Sequence, residues 1–260
     1  MEDGRRPYEL LQPEHFWGSI GQRLEGTKPA GGKEILTDFG GQALKNLLRA
    51  LKNEDVLPDQ VLFDKYSSTW FDCLWRLSLI PSGSPIQPVR EHGAALVEET
   101  DGSLQITTAR PGSCEAFPFD EGEMQFRGFM GYFHTHPYES GTTGVAFSPG
   151  DFSAMINSQI RICIAQSGDL LFMLVRTPAT PKCIDPDKIL TEFDKWLADY
   201  QRKGKKWQAA VLLANLHICR EYGLAFYIGR MHQPLQLSCF FDTHSESYVE
   251  KTKKLVQGGR

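Results

Sequence analysis

Leu44, Leu47, Leu48 and Leu51 recur at intervals of three and four, the period that lines one stripe of a helix with apolar side chains. Gly40 and Gly41 precede that segment. The same period runs through Trp70, Phe71, Leu74 and Leu77, and predicts a helix over about 64–78 with Asp64 to open it. The run IPSGSPIQP (80–88) breaks the pattern and reads as a linker or domain entry. From residue 89 the apolar runs shorten to strand length. GAALV (93–97), the turn TDG (100–102) and the alternating SLQITTA (103–109) predict a strand, a turn and a returning strand. RGFMGYFH (127–134) predicts a third strand and FSAMINSQ (152–159) a short helix. IRICIAQ (160–166) and LLFMLVR (170–176) predict two strands joined at SGD (167–169). After residue 184 helical spacing returns. Asp185 stands as an N-cap before Pro186, and Ile189, Leu190, Phe193, Trp196, Leu197 and Tyr200 form one stripe. RKGKK (202–206) interrupts it, and a second helix from about 206 stops at Gly223, a C′ glycine. LAFYIG (224–229) and PLQLSCFF (234–241) predict two more strands, followed by a basic, frayed tail at 251–260.

This order of elements predicts an α+β fold with a central mixed β-sheet flanked by helices. A helical N-terminal extension is expected over 1–85, the core over 86–200, and a C-terminal helix and strand extension over 201–260. The chain carries no internal repeat. Its 41% hydrophobic and 23% charged residues exclude wholesale disorder and a coiled coil. A formal net charge of −4 argues against a general polyanion binder, so no nucleic-acid partner is expected. No apolar run reaches about 18 residues, so no membrane-spanning helix is expected. The acidic start MEDGRRPYELLQPEHF has no apolar stretch of a secretory signal. The six cysteines are scattered singly with no CxxC pair, as in a cytoplasmic protein with reduced thiols.

The segment GYFHTHPYESGTTGVAFSPGD (131–151) carries the chemistry. On a strand, residues i and i+2 face the same side, so His134 and His136 can present two imidazoles to one metal ion. Pro137 then ends the strand. Ser148-Pro149-Gly150-Asp151 supplies a candidate third ligand. With Ser148 at the N-cap, Asp151 falls in the first helical turn, where backbone N–H groups favour an anion. His₂Asp coordination leaves a fourth position for water, the pattern of a catalytic zinc site. Taken singly, an HxH on a strand can be chance, and an SxxD can be a simple capping box.

Together, His134-Thr135-His136-Pro137 and Ser148-Pro149-Gly150-Asp151 resemble the H-[ST]-H-P … S-x-x-D signature of the JAMM (also JAB or MPN+) metalloproteases. The resemblance implies a zinc-dependent isopeptidase or peptidase with a cytidine-deaminase-like layout and one zinc ion per chain. Its expected substrate is the C-terminal tail of ubiquitin or a ubiquitin-like protein, or another peptide in extended form. The family also uses an upstream glutamate at the start of a strand, typically in E-x-x-G-x-L. Glu91, 43 residues before His134, opens the first strand of the central unit and is the choice here; Glu98, Glu99 and Glu139 fall at turns or in the loop. The resemblance spans at most about 86–200 and has two departures. Eleven residues separate His136 from Ser148, a longer gap than usual, and the glycine follows Glu91 by two positions instead of three. By this resemblance His134, His136 and Asp151 hold zinc, which lowers the pKa of bound water towards about 7. Glu91 takes the water's proton and returns it to the leaving amine, and Ser148 hydrogen-bonds the developing oxyanion. Ser148 would then have to share its hydroxyl between helix capping and the oxyanion. A zinc-free MPN-type scaffold is the alternative, and a metal hydrolase acting on other bonds is a second.

The remaining signals add little. GTKPAGGKE (26–34) has the wrong spacing for a phosphate loop, and neither HExxH nor G-x-S-x-G occurs. Cys114, Cys163 and Cys183 read as core thiols rather than nucleophiles. Arg202, Lys203, Lys205 and Lys206 read as a solvated break. His15, His92, His217, His232 and His244 lack metal spacing.

Overall fold

The computed structural model describes residues 45–50, 57–80, 89–100, 102–113, 116–138, 140–158 and 160–239. These fall in one unit running from 37 to 260. The 26–34 loop, most of the 80–88 linker, Cys114, Glu139, His15, His244 and the basic tail lie outside the described residues. Residues 45–50 are helical, with Leu47 and Leu48 buried. After a short strand β1 (Gln60–Val61) comes helix α1 (Lys65–Ser78). Asp64 caps α1 by accepting a 2.6 Å hydrogen bond from the Ser67 N–H.

Strands β2 (His92–Glu98), β3 (Leu104–Ile106) and β4 (Arg110–Pro111) follow, then β5 (Phe129–Thr135) and helix α2 (Pro149–Asn157). Strands β6 (Ile162–Ser167) and β7 (Leu170–Arg176) lead to helices α3 (Pro186–Arg202) and α4 (Trp207–Tyr222). The described chain ends in β8 (Leu224–Arg230) and β9 (Leu235–Cys239). The nine strands of the described residues share one mixed sheet in the order β1-β9-β8-β7-β6-β5-β2-β3, with β4 also paired to β2. The fold is therefore α+β with a mixed sheet. The segment expected to return along β2 over 103–109 pairs with it only as β3, and β4 follows just beyond that segment. Thr107 breaks it: its hydroxyl, not its carbonyl, accepts the Ala95 N–H at 2.9 Å.

Among the described strands, β5 and β6 form the one parallel pair. A parallel pair needs a crossover, and α2 provides it. The sheet does not stop at residue 200, where the core was expected to end. Residues 207–239, expected as an extension, supply α4 and strands β8 and β9, and β8 pairs with β7 along its whole length. Helix α1 packs on one face of the sheet, with the Phe71 ring stacked 4.2 Å from Phe133. Helices α2 and α4 cover the other face, over Ala95, Tyr132, Cys163, Phe172 and Phe226, and α3 packs against both helices. Covering both faces explains why β2, β6 and β7 read as continuous apolar runs instead of alternating ones.

The helix ends follow their sequence signals. The Asp185 carboxylate accepts from the Asp187 N–H at 3.0 Å, and Gly223 takes φ 64° at the end of α4. One stripe member departs from expectation: Leu190 is 46% exposed. At about 100° per residue it falls beside Ile189, outside the arc that Ile189, Phe193 and Trp196 present to the core. No helix among the described residues is long and apolar enough to cross a membrane.

Candidate metal centre

The site forms where β5 ends and the chain leaves for α2. The period of two puts His134 and His136 on the α2 side of the sheet, and Phe133 on the α1 side. The backbone of His136 is pinned beyond the strand end. Its N–H donates to the Gln166 carbonyl at 2.8 Å, and its carbonyl accepts from the Ser167 hydroxyl at 3.1 Å. The intervening Thr135 turns the other way, and its hydroxyl accepts the His92 N–H at 2.9 Å. That bond ties β5 to the residue after Glu91.

Glu91 is fixed just before β2. Its N–H donates to the Ser113 carbonyl at 2.8 Å, and its carbonyl accepts from the Gly112 N–H at 2.8 Å. Asp151 is fixed by a complete capping box at the start of α2. The Ser148 N–H and hydroxyl both donate to Asp151 Oδ2 at 2.8 Å, and the Asp151 N–H donates to Ser148 Oγ at 3.3 Å. The Ser148 hydroxyl hydrogen is thus engaged by Asp151, which answers how capping divides that group.

The side chains converge. His134 Nε2 and His136 Nε2 are 2.8 Å apart. Asp151 Oδ1 lies 3.1 Å from His134 Nε2, and Oδ2 lies 3.5 Å from His136 Nε2. Glu91, His134 and His136 are buried and offer one ligand atom each, all within 4.8 Å of one another. This cluster can hold a metal ion. Ser148 is exposed, so the centre opens to solvent at the N-terminus of α2.

The donor chemistry fits a cation. His136 Nδ1 faces the carbonyls of Val145 (3.3 Å) and Ala146 (3.1 Å), which only accept hydrogen bonds. In the neutral imidazole the proton therefore sits on Nδ1, and the Nε2 lone pair is the one directed at the other imidazole. His134 Nδ1 faces the Cys163 sulfur at 3.9 Å, which leaves its Nε2 directed inward as well. Two imidazoles and two carboxylates gathered out of water suit a positive charge between them, and a metal ion binding at Nε2 would displace the protons shared there with Asp151.

The two carboxylates sit in opposite environments. Burial raises the Glu91 carboxyl, and the nearby imidazoles and the Phe117 N–H only partly offset this. Burial alone would raise Asp151 too, but the charge of His134 and hydrogen bonds from both imidazoles hold it well below the usual carboxylate range. For His136, burial acts downward and is outweighed by Asp151, which lifts the imidazole to about 9. The two carboxylates thus differ: Asp151 stays ionised, while Glu91 takes up a proton more readily.

The chain brings Glu91, His134, His136, Ser148 and Asp151 to one place. Glu98 and Glu99 do not join them; they line a separate cavity of about 560 Å³ with Arg127 and Arg161. Cys163 is buried behind His134, and its thiol is pushed well up by burial and by Asp151 and Glu91, so it stays protonated and is no nucleophile. His217 and His232 lie elsewhere: His217 stacks on Trp196 at 3.7 Å, and His232 bonds Asp72 at 2.9 Å. Sequence reasoning passed over two neighbours. The Phe117 N–H serves Glu91, and its ring lies nearly parallel to His134 at 6.3 Å. Tyr138 follows Pro137 directly, and its hydroxyl is raised to about 12 by burial and by Glu91 and Asp151. Its place one residue past the histidine motif was the available signal; Phe117 offered none. Comparisons with protein families, curated proteins and solved structures find no match for this chain. The resemblance to the JAMM proteases rests on the motifs themselves.

Proposed function

We propose that this chain is a zinc-dependent peptidase or isopeptidase of the JAMM type. It would hydrolyse an amide bond at the C-terminal tail of ubiquitin or a ubiquitin-like protein, or in another extended peptide. One observation carries this reading: Glu91, His134, His136 and Asp151 converge in one centre that opens beside Ser148. A tetrahedral zinc ion with bonds of about 2.0–2.1 Å keeps neighbouring ligand atoms about 3.3 Å apart. The contacts of 2.8, 3.1 and 3.5 Å bracket that spacing. The layout also supports the JAMM reading, with the histidines at the end of β5, the carboxylate at the start of α2 and α2 crossing over to a parallel neighbour.

Bound zinc supplies a Lewis acid that polarises an amide carbonyl and acidifies water. His134, His136 and Asp151 hold it. The Glu91 carboxylate accepts a proton from water and passes it to the leaving nitrogen. The Ser148 hydroxyl donates to the carbonyl oxygen as charge builds there, which requires it to turn from Asp151 Oδ2. Cys73, Cys163, Cys183 and Cys219 are free thiols, in keeping with a cytoplasmic location.

The test is turnover of ubiquitin and ubiquitin-like proteins carrying a C-terminal reporter amide. The zinc-loaded wild type should release the reporter, and folded Glu91→Gln should lose about 10²–10⁴-fold of that rate. Zinc-loaded wild type that cleaves no such substrate would favour the scaffold reading, and a fully active Glu91→Gln would contradict the role of Glu91.

A further inference from the structure

Residues 145–148 belong to no helix or strand, yet they touch both ends of the metal centre. The Val145 and Ala146 carbonyls set the tautomer of His136. The Phe147 ring lies 6.2 Å from His134 and 6.3 Å from His136, and packs behind on Phe152 and Phe226. Ser148 holds Asp151. A segment without a ladder of its own needs another anchor for its buried peptide groups.

That anchor is a single side chain from α4. Asn215 is fully buried. Its Oδ1 accepts the Phe147 N–H at 3.0 Å, and its Nδ2 donates to the Phe147 carbonyl at 2.9 Å and to the Val211 carbonyl at 3.0 Å. Both polar groups of Phe147 are therefore satisfied by one amide, and both amide protons are used. A flipped amide would set its NH₂ against an N–H and its oxygen against two carbonyls, so the orientation is unique.

We infer that Asn215 is the positioning residue of the metal centre: by clamping the Phe147 peptide it presents His136 and Asp151 together. Removing the amide leaves the Phe147 N–H and carbonyl buried without partners, so the segment must shift. The tautomer of His136 and the aim of Asp151 are then lost together. The inference rests on the metal reading above, and it assigns a role to a residue outside the region of the JAMM resemblance.

The test uses the full chain and two probes, Zn²⁺ affinity by chelator competition and the visible absorption of bound Co²⁺. Asn215→Ala removes the clamp. Asn215→Asp keeps the acceptor for the Phe147 N–H but turns a carboxylate oxygen towards two carbonyls. Ile189→Ala, a buried change on α3, controls for lost stability alone. Loss of an outer-shell partner weakens metal binding about 10–100-fold, and that loss with an altered Co²⁺ spectrum is expected of both Asn215 variants. Ile189→Ala should melt earlier yet keep wild-type affinity and spectrum. If Asn215→Ala does not fold, Asn215→Asp decides. A folded Asn215 variant with affinity within about threefold of wild type and an unchanged spectrum would overturn the inference. Wild type that binds neither metal would overturn the metal reading and this inference with it, before any substitution is compared.

Discussion

Replacing Gly93 with alanine should damage the fold at the joint between Glu91 and the histidines. Gly93 lies on β2 directly opposite His134 on β5. A Cβ there would sit 2.5 Å from the Phe133 carbonyl oxygen and 2.9 Å from two carbons of the Phe117 ring. Ordinary contact begins at 3.4 Å, so β2 must retreat from β5 by about 0.9 Å. The obstacle is backbone in the middle of a sheet, so no side-chain rotation relieves it. Overpacking of this kind costs about 1–3 kcal/mol. For a unit of this size each kcal/mol lowers Tm by about 2–4 °C, which gives a fall of about 2–12 °C. Glu91 would move with β2 while His134 stays with β5, so turnover should fall as well. The assay is thermal unfolding of Gly93→Ala beside Gly150→Ala. At Gly150 a Cβ meets only Ser148 Oγ at 3.5 Å, an ordinary contact. Gly150→Ala should therefore be neutral or stabilising by up to about 1 kcal/mol. A Gly93→Ala protein within about 0.5 kcal/mol of wild type would refute the β2–β5 register, and with it the placement of Glu91 beside the histidines.

Two further outcomes follow from the caps and from the α3–α4 pair. Ser148→Ala removes the capping box of α2 and should cost about 0.5–2 kcal/mol in denaturant unfolding, while Ser148→Thr should recover most of it; an unchanged midpoint in Ser148→Ala would contradict the cap. The His217 imidazole is held below 6.5, first by burial and then by Arg220 and Lys203. A folded-state value below the unfolded one means that the stability His217 contributes is present above pH 6.5 and is lost as pH falls through the lower folded value. Tm of wild type should thus drop more steeply between about pH 7 and about pH 5 than Tm of His217→Gln, and parallel profiles would count against this assignment.

The features legible in the sequence were those written in short-range patterns. Asp64, Asp185 and Gly223 mark helix ends because a cap acts within a few residues. The histidine pair and the capping box were legible for the same reason, since i, i+2 and N-cap to N3 are local geometries. Glu91 was harder: the 43 residues between it and His134 are bridged by strand pairing that no local pattern encodes. The misplaced glycine proves to be the one that Phe133 and Phe117 leave no room to replace. Strands β1 and β4 went unseen because two residues carry no periodicity. LAFYIG announces a strand without naming its partner; only pairing of β8 with β7 shows that it joins the sheet. Asn215 was the least legible. It stands alone in the apolar run VLLANLHIC, and its partner, Phe147, is 68 residues away.

The central claim is that His134, His136 and Asp151 hold one zinc ion while Glu91 serves as a base. Elemental analysis of purified wild type, His136→Ala and Glu91→Gln tests it most directly. The account predicts about one zinc per chain in wild type and in Glu91→Gln, and a large loss in His136→Ala. Folded wild type that stays metal-free after incubation with zinc would contradict the metal centre, and loss of zinc from Glu91→Gln would make Glu91 a ligand and not the base.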